Sequence, residues 1–139
     1  MELGYTINQL QVGQSATIGK TITEADILLF AGVSGDVNPA HLNQEYAEQT
    51  VFKGRIAHGM LSAGLVSAVL GTKLPGFGTI YLSQNLKFKA PVKIGDTVNA
   101  TVSVKEIVVE KNRVVLETVC KVKDTVVLEG EAVVLAPKA

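Results

Sequence analysis

A single cysteine, Cys120, stands in a chain of 139 residues. One thiol excludes an intrachain disulfide and a cysteine-based metal cluster, and its use fits a reducing, cytoplasmic setting. An excess of charge of one sign is equally missing: 13 Lys and Arg residues offset 13 Asp and Glu residues, and neither sign gathers in blocks. That balance excludes a nucleic acid or an anionic membrane held by bulk charge, so any charged ligand must be bound locally. Long apolar runs are absent too. The longest, Met60 to Gly71, falls short of the ~20 residues that span a bilayer. Met1 to Tyr5 lack the basic-then-apolar order of a signal peptide. The length predicts one domain over residues 1–139, a size at which about 70% of the unfolded chain's surface becomes buried.

Residues 15–21 read as a short strand. Thr21 with Glu24, or Thr23 with Asp26, offers a capping box for a helix through Phe30 and Val33. Pro39 interrupts, and a short helix is expected over Asn43–Gln49 with Tyr46 and Ala47 facing inward. From His58 to Thr72 the sequence is apolar on every side, with Ser62 and Ser67 as its polar interior positions. Such a helix must be surrounded by protein. Gly71, and beyond it Pro75 and Gly76, mark its end.

Beyond Gly78 the period falls to two. Ile80, Leu82, Leu86, Phe88 and Ala90 share one face, interrupted by Gln84. Val98, Ala100, Val102 and Val104 form the next dry stripe. Val114, Leu116, Thr118, Cys120 and Val122 follow, then Val126, Leu128, Gly130, Ala132 and Val134. Turn residues Asn112–Arg113 and Asp124–Thr125 separate the last three runs, which predicts an antiparallel meander dry on one face. A sheet curled around a buried helix satisfies both patterns. This α+β order resembles the hot dog fold, whose sheets commonly pair edge to edge, so a homodimer is expected.

The segment Gly35-Asp36-Val37-Asn38-Pro39-Ala40-His41 places a carboxylate and an imidazole five positions apart, in a break between two helices. Breaks of this kind carry catalytic side chains on rigid scaffolds. Asp, Asn and Pro are also ordinary turn residues, with Asn38 a natural cap for the next helix, and the fragment alone leaves both readings open. Competing motifs fail on spacing. His41 and His58 without a cysteine pair make a poor zinc set, so no metal is expected and His58 reads as a packed residue orienting its turn. Ser62 and Ser67 lack a Gly-x-Ser-x-Gly context. Gly19-Lys20-Thr21 has Gln14 where a phosphate loop needs glycine, and Gly76 with Gly78 lacks the third glycine of a dinucleotide fingerprint. No redox cofactor is indicated. Cys120 shares a dry strand face with Leu116 and reads as an inert core thiol. Lys87, Lys89 and Lys93 form a row that is either a solvated face or a set of phosphate contacts.

The order Phe30, Gly32, Ser34, Gly35, Asp36, Asn38, Pro39, His41, Ala47 resembles the signature of the hydratase 2 family, the (R)-specific enoyl-CoA hydratases or MaoC-like dehydratases. Arg55-Ile56-Ala57-His58-Gly59-Met60 and Phe88-Lys89-Ala90-Pro91-Val92-Lys93-Ile94-Gly95-Asp96 are similar to two further blocks of that family. The resemblance runs from about Tyr5 to Leu135, closest to the short single-domain members that supply (R)-3-hydroxyacyl-CoA for polyhydroxyalkanoate synthesis. It implies that Asp36 and His41 hold and activate water and that the Gly59 amide is the oxyanion donor; from their own placement, Asn38 reads as bracing the loop and Ser67 as bordering the acyl tunnel. Hydration of an enoyl thioester needs a base for water at C3 and an acid for C2, which one carboxylate and one imidazole supply. The implied reaction is reversible hydration of trans-2-enoyl-CoA without a cofactor, coenzyme A being part of the substrate. Alternatives are a 3-hydroxyacyl-carrier-protein dehydratase, a hot dog thioesterase and a non-catalytic acyl-CoA binding module.

Overall fold

In the computed structural model, which describes residues 2–139, the longest strands lie where the period-two pattern is cleanest. Strands β4 (Thr97–Val108), β5 (Arg113–Val122) and β6 (Thr125–Leu135) pair antiparallel in sequence order. Val98, Ala100, Val102 and Val104 are buried on the inner face, as are Val114, Leu116, Thr118 and Cys120 from the neighbouring strand. The sixth strand departs from simple alternation. Cys120 opposes Leu128 but Lys121 opposes Val126, so Val127 is an extra residue and is itself buried, while Val126 is not. A bulge of this kind restarts the inward face one residue out of phase.

Strand β1 (Ser15–Thr21) joins the free edge of β4. Strands β2 (Ile80–Gln84) and β3 (Lys87–Phe88) both pair with the outer edge of β6, giving the order β1-β4-β5-β6-β2 with β3 beside β6. Helix α4 (Gly59–Thr72) packs against β1, β4, β5 and β6. Val66, Val69 and Leu70 from the helix meet Val98, Leu116 and Val134 from the sheet in one buried cluster. Each such side chain contributes about 1.5–3 kcal/mol by leaving water. A sheet wrapped on a central helix is the hot dog arrangement. Among the described residues no helix is long and apolar enough to cross a membrane.

The first helix, α1 (Glu24–Ser34), is started by the Thr23–Asp26 box: the Thr23 amide donates to Asp26 Oδ2 at 2.8 Å and the Asp26 amide to Thr23 Oγ1 at 3.2 Å. Thr21 is still in β1, bonded to Thr97 across the strands. Two short helices follow, α2 (Pro39–Leu42) and α3 (Gln44–Glu48), capped by Asn38 and Asn43. Ala47 is fully buried in α3, but Tyr46 is half exposed, because a helix of one turn has room for only one residue against the core.

Two expectations about burial need correcting. Helix α4 is covered on one side only: Leu61, Ser62, Val66, Val69 and Leu70 are buried, whereas Met60, Gly64 and Ser67 form an open stripe. The dry face assigned to residues 80–90 is also open, with Ile80, Leu82 and Phe88 exposed. The register slips between Tyr81 and Ser83, breaking the alternation. In addition β2 lies at the end of the strand order, and a cavity rather than packed side chains separates it from α4.

Candidate active site

Helix α1 stops at Gly35, whose φ of 76° places it in the left-handed region that glycine enters without a Cβ penalty. This reversal delivers Asp36 to the gap between α1 and α2. Two bonds then shape the turn: Asp36 donates its amide to Ser34 Oγ at 3.1 Å and accepts from the Asn38 amide through Oδ1 at 3.2 Å. Asn38 Oδ1 accepts from the Ala40 amide at 3.0 Å, so Asn38 braces the loop as a cap. Within α2, His41 is buried at 9% exposure.

The protonation pattern of the His41 ring follows from its partner. Nδ1 lies 2.7 Å from the Ile56 carbonyl, which can only accept, so Nδ1 carries the hydrogen and the neutral ring presents a bare Nε2. His58, 2% exposed, is fixed in the same manner: its Nε2 donates to the Asp36 carbonyl at 2.9 Å. The two imidazoles stack with centroids 3.9 Å apart, and Phe30 backs His58 at 4.8 Å. His58 therefore touches both members of the pair, Asp36 through its backbone and His41 through its ring. It stands immediately before α4, whose first residue is Gly59.

Side-chain atoms of Asp36, His41 and His58 lie within 4.8 Å of one another. His41 Nδ1 and His58 Nε2 are each engaged by a backbone carbonyl. The nearness of Asp36 to His41 is that of an acid/base couple able to share a small molecule.

A cavity of about 410 Å³ opens beside the pair. Its walls are chiefly apolar, from Phe52, Ile56, Phe88, Pro91, Val92, Val127 and Leu128, with Asp36, His41, His58, Ser62 and Lys89 as polar exceptions. Gly59 lies in the lining at the start of α4, where the first amides of a helix have no carbonyl one turn back. Such amides favour developing negative charge. The cavity can thus hold an apolar chain, two proton-transfer groups and an oxygen-binding amide in one space.

Asp36, His41 and Gly59 line one cavity, whereas Asn38 stays exposed outside it as the cap of α2, and Ser67 does not join them. It lines a second cavity of about 440 Å³ with Phe30, Gly64, Tyr81 and Leu86. Eight residues beyond Gly59, it stands about 12 Å along the helix axis. Ser62, one turn from Gly59, is the serine that reaches the first cavity. Two contributors escape sequence reasoning. Phe88 presses its ring against Gly59, and Arg55 holds the His41 backbone. Neither has a local signal, since both act across the fold.

Comparison with known proteins agrees with this geometry. The MaoC like domain model matches residues 8–128. An (R)-specific enoyl-CoA hydratase of Rhodospirillum rubrum is 63% identical over 133 residues, spanning 96% of this chain and 92% of that protein. A 3-hydroxybutyryl-CoA dehydratase of Methylorubrum extorquens is 50% identical, across 93% of this chain and 82% of the relative. Among solved structures, the unliganded R-hydratase PhaJ1 from Pseudomonas aeruginosa superimposes with a TM-score of 0.93 at 47% identity, covering 98% of this chain and 88% of that one. On sequence, on fold and on the loop that carries Asp36 and His41, this chain belongs to the family of MaoC-like domains.

Proposed function

We propose that this protein is an (R)-specific enoyl-CoA hydratase, a hydro-lyase that adds water to trans-2-enoyl-CoA and removes it from (R)-3-hydroxyacyl-CoA. The observation that carries the reading is the pairing of His41, its Nδ1–H held by the Ile56 carbonyl, with the Asp36 carboxylate within 4.8 Å on the wall of one apolar cavity. The (R) hand and the coenzyme A thioester are those named for the relatives from Rhodospirillum and Methylorubrum.

Two acceptors facing one space hold both O–H bonds of a water molecule and leave its lone pair free. As that lone pair attacks C3, the pair takes one proton and returns one to C2. The π electrons of the double bond move toward the thioester, and the oxygen that gains charge is met by the Gly59 amide. Dehydration runs the same steps backward. All reacting atoms come from the thioester and water, so the proposal requires no redox cofactor or metal. The exposed β2 residues Ile80 and Leu82 and the open Met60–Gly64–Ser67 stripe support a homodimer, which sedimentation tests. A cytoplasmic location fits the single buried thiol.

The test is loss of enoyl-thioester absorbance with crotonyl-CoA, with chiral analysis of the product. An (R)-3-hydroxybutyryl product that disappears in Asp36→Asn and in His41→Ala, with circular dichroism unchanged, is the expected result. Release of free coenzyme A, or full activity in either variant, refutes the reading.

A further inference from the structure

Helix α2 has four residues and cannot hold its own conformation, because isolated helices shorter than about 12–15 residues are marginal. The direction of the His41 ring is therefore imposed from outside. Three bonds tie residues 40 and 41 to residues 55 and 56. Ile56 donates its amide to the Ala40 carbonyl at 3.2 Å and accepts from His41 Nδ1 at 2.7 Å, and Arg55 Nε donates to the His41 carbonyl at 2.6 Å. The last bond rests on a long, flexible side chain. It would swing away if its far end were free, and it is not free. Glu24, in the first turn of α1, accepts from Nη1 and Nη2 at 2.9 Å each, a bidentate grip on a guanidinium that is only 15% exposed. Lysine could not replace this planar fork, which serves a carboxylate and a carbonyl at once.

We infer that Glu24 and Arg55 are positioning residues for proton transfer: the carboxylate fixes the guanidinium, and the guanidinium fixes the backbone of His41 so that its ring meets the Ile56 carbonyl. Neither side chain lines the cavity that holds the Asp36–His41 pair. The inference rests on His41 as a proton-transfer group, and its test separates the two claims. Arg55→Met keeps the apolar stem and removes every donor. The expected result is a fall in kcat of about 10- to 100-fold, the scale of a displacement near 1 Å, with KM little changed because substrate contacts survive. In ¹⁵N spectra wild-type His41 shows a protonated Nδ1, whereas in Arg55→Met the two ring nitrogens average toward one another.

Glu24→Gln, at a half-exposed site, retains the fold and gives a smaller change in the same direction. The double exchange Glu24→Arg with Arg55→Glu discriminates further. It rebuilds the ion pair and recovers thermal stability, yet kcat stays low, since a carboxylate at position 55 has no N–H for the His41 carbonyl. Wild-type kcat in Arg55→Met, or recovery of kcat together with stability in the double exchange, overturns the inference. Should the wild-type protein hydrate no enoyl thioester, the functional reading falls. The ring spectra then decide this proposal alone, and an unchanged Nδ1–H tautomer in Arg55→Met overturns it.

Discussion

Replacing Gly59 by alanine adds one carbon at the point where the proposed oxyanion amide, the cavity and an aromatic ring meet. A Cβ there would lie 2.6 and 2.7 Å from two carbons of the Phe88 ring, about 0.8 Å inside the 3.4 Å at which ordinary contact begins. Something must move. Phe88 is 55% exposed and lines the cavity, so its ring yields before the backbone of α4 does, and the helix start shifts by whatever the ring does not absorb. Stability changes little, because overpacking costs about 1–3 kcal/mol while alanine is better than glycine in a helix by about 1 kcal/mol. Activity changes more. A misplacement near 1 Å is worth about 100-fold, or about 2.7 kcal/mol of transition-state stabilisation. Initial rates with crotonyl-CoA measure it, and Phe88→Ala supplies the control. In the double variant the added methyl has space, so the Gly59→Ala penalty should shrink by most of its value in a double-mutant cycle. A Gly59→Ala enzyme with wild-type kcat/KM, or a penalty unchanged without Phe88, refutes the argument that this close approach positions the amide.

The remaining predictions concern the scaffold and the second histidine. His58→Phe keeps a ring beneath His41 but loses the bond to the Asp36 carbonyl, and His58→Asn does the reverse; each is expected to lower kcat by at least tenfold, about 1.4 kcal/mol, and steady-state rates near wild type in both would remove His58 from the site. Asp26 has its carboxyl held below the usual 3.8, chiefly by the hydrogen bond from the Thr23 amide. Its contribution is therefore complete above about pH 3.8 and lost as pH falls through the lower folded value. Asp26→Asn should cost about 0.5–1 kcal/mol in urea at pH 7 and progressively less as pH falls below about 3.8, and a difference that stays constant into acid contradicts the assignment. Cys120 is fully buried and its thiol is pushed up to about 11 by that burial, so a disulfide reagent at pH 8 should label it only after unfolding. Leu116→Ala, at a fully buried position, is expected to lose about 2–5 kcal/mol in chemical denaturation.

How far such a chain can be read without coordinates depends on where each residue finds its neighbours. Strands β4 and β5 are legible because one face meets α4 and the other meets solvent, which writes a period of two into the residues themselves. The Asp36–His41 segment is legible because a left-handed glycine, a capping Asn and a helix-starting Pro each have local reasons to be there. Legibility ends where the reason is distant. Val127 takes an inward place meant for Val126 because of a slip against β5, and hydropathy does not distinguish two valines. The apolar residues of β2 mark a dry face in the sequence, yet Ile80 and Leu82 stand exposed. Ser67 and Ser62 look alike in sequence, and only their turns around α4 send one to the site and the other away. Arg55 and Glu24 are 31 residues apart, and nothing near either announces the other.

The strand order has a consequence in time as well as in space. The three strands of the meander are joined by tight turns, so their pairing closes short loops and can proceed early. Strand β1 must instead find β4 across the whole helical half of the chain, as the Thr17–Thr101 bond shows with its separation of 84 residues. Closing so long a loop is slow relative to forming hairpins. The cavity walls come from Asp36, His41, Phe52, residues 56–60 and Ser62 in the helical half and from residues 88–92 and 127–128 in the sheet half, so they meet only when the two halves dock. In refolding, tertiary signals from the β4–β6 hairpins should thus precede catalytic competence, and a chain halted with its meander formed would carry a nearly finished sheet and no active site.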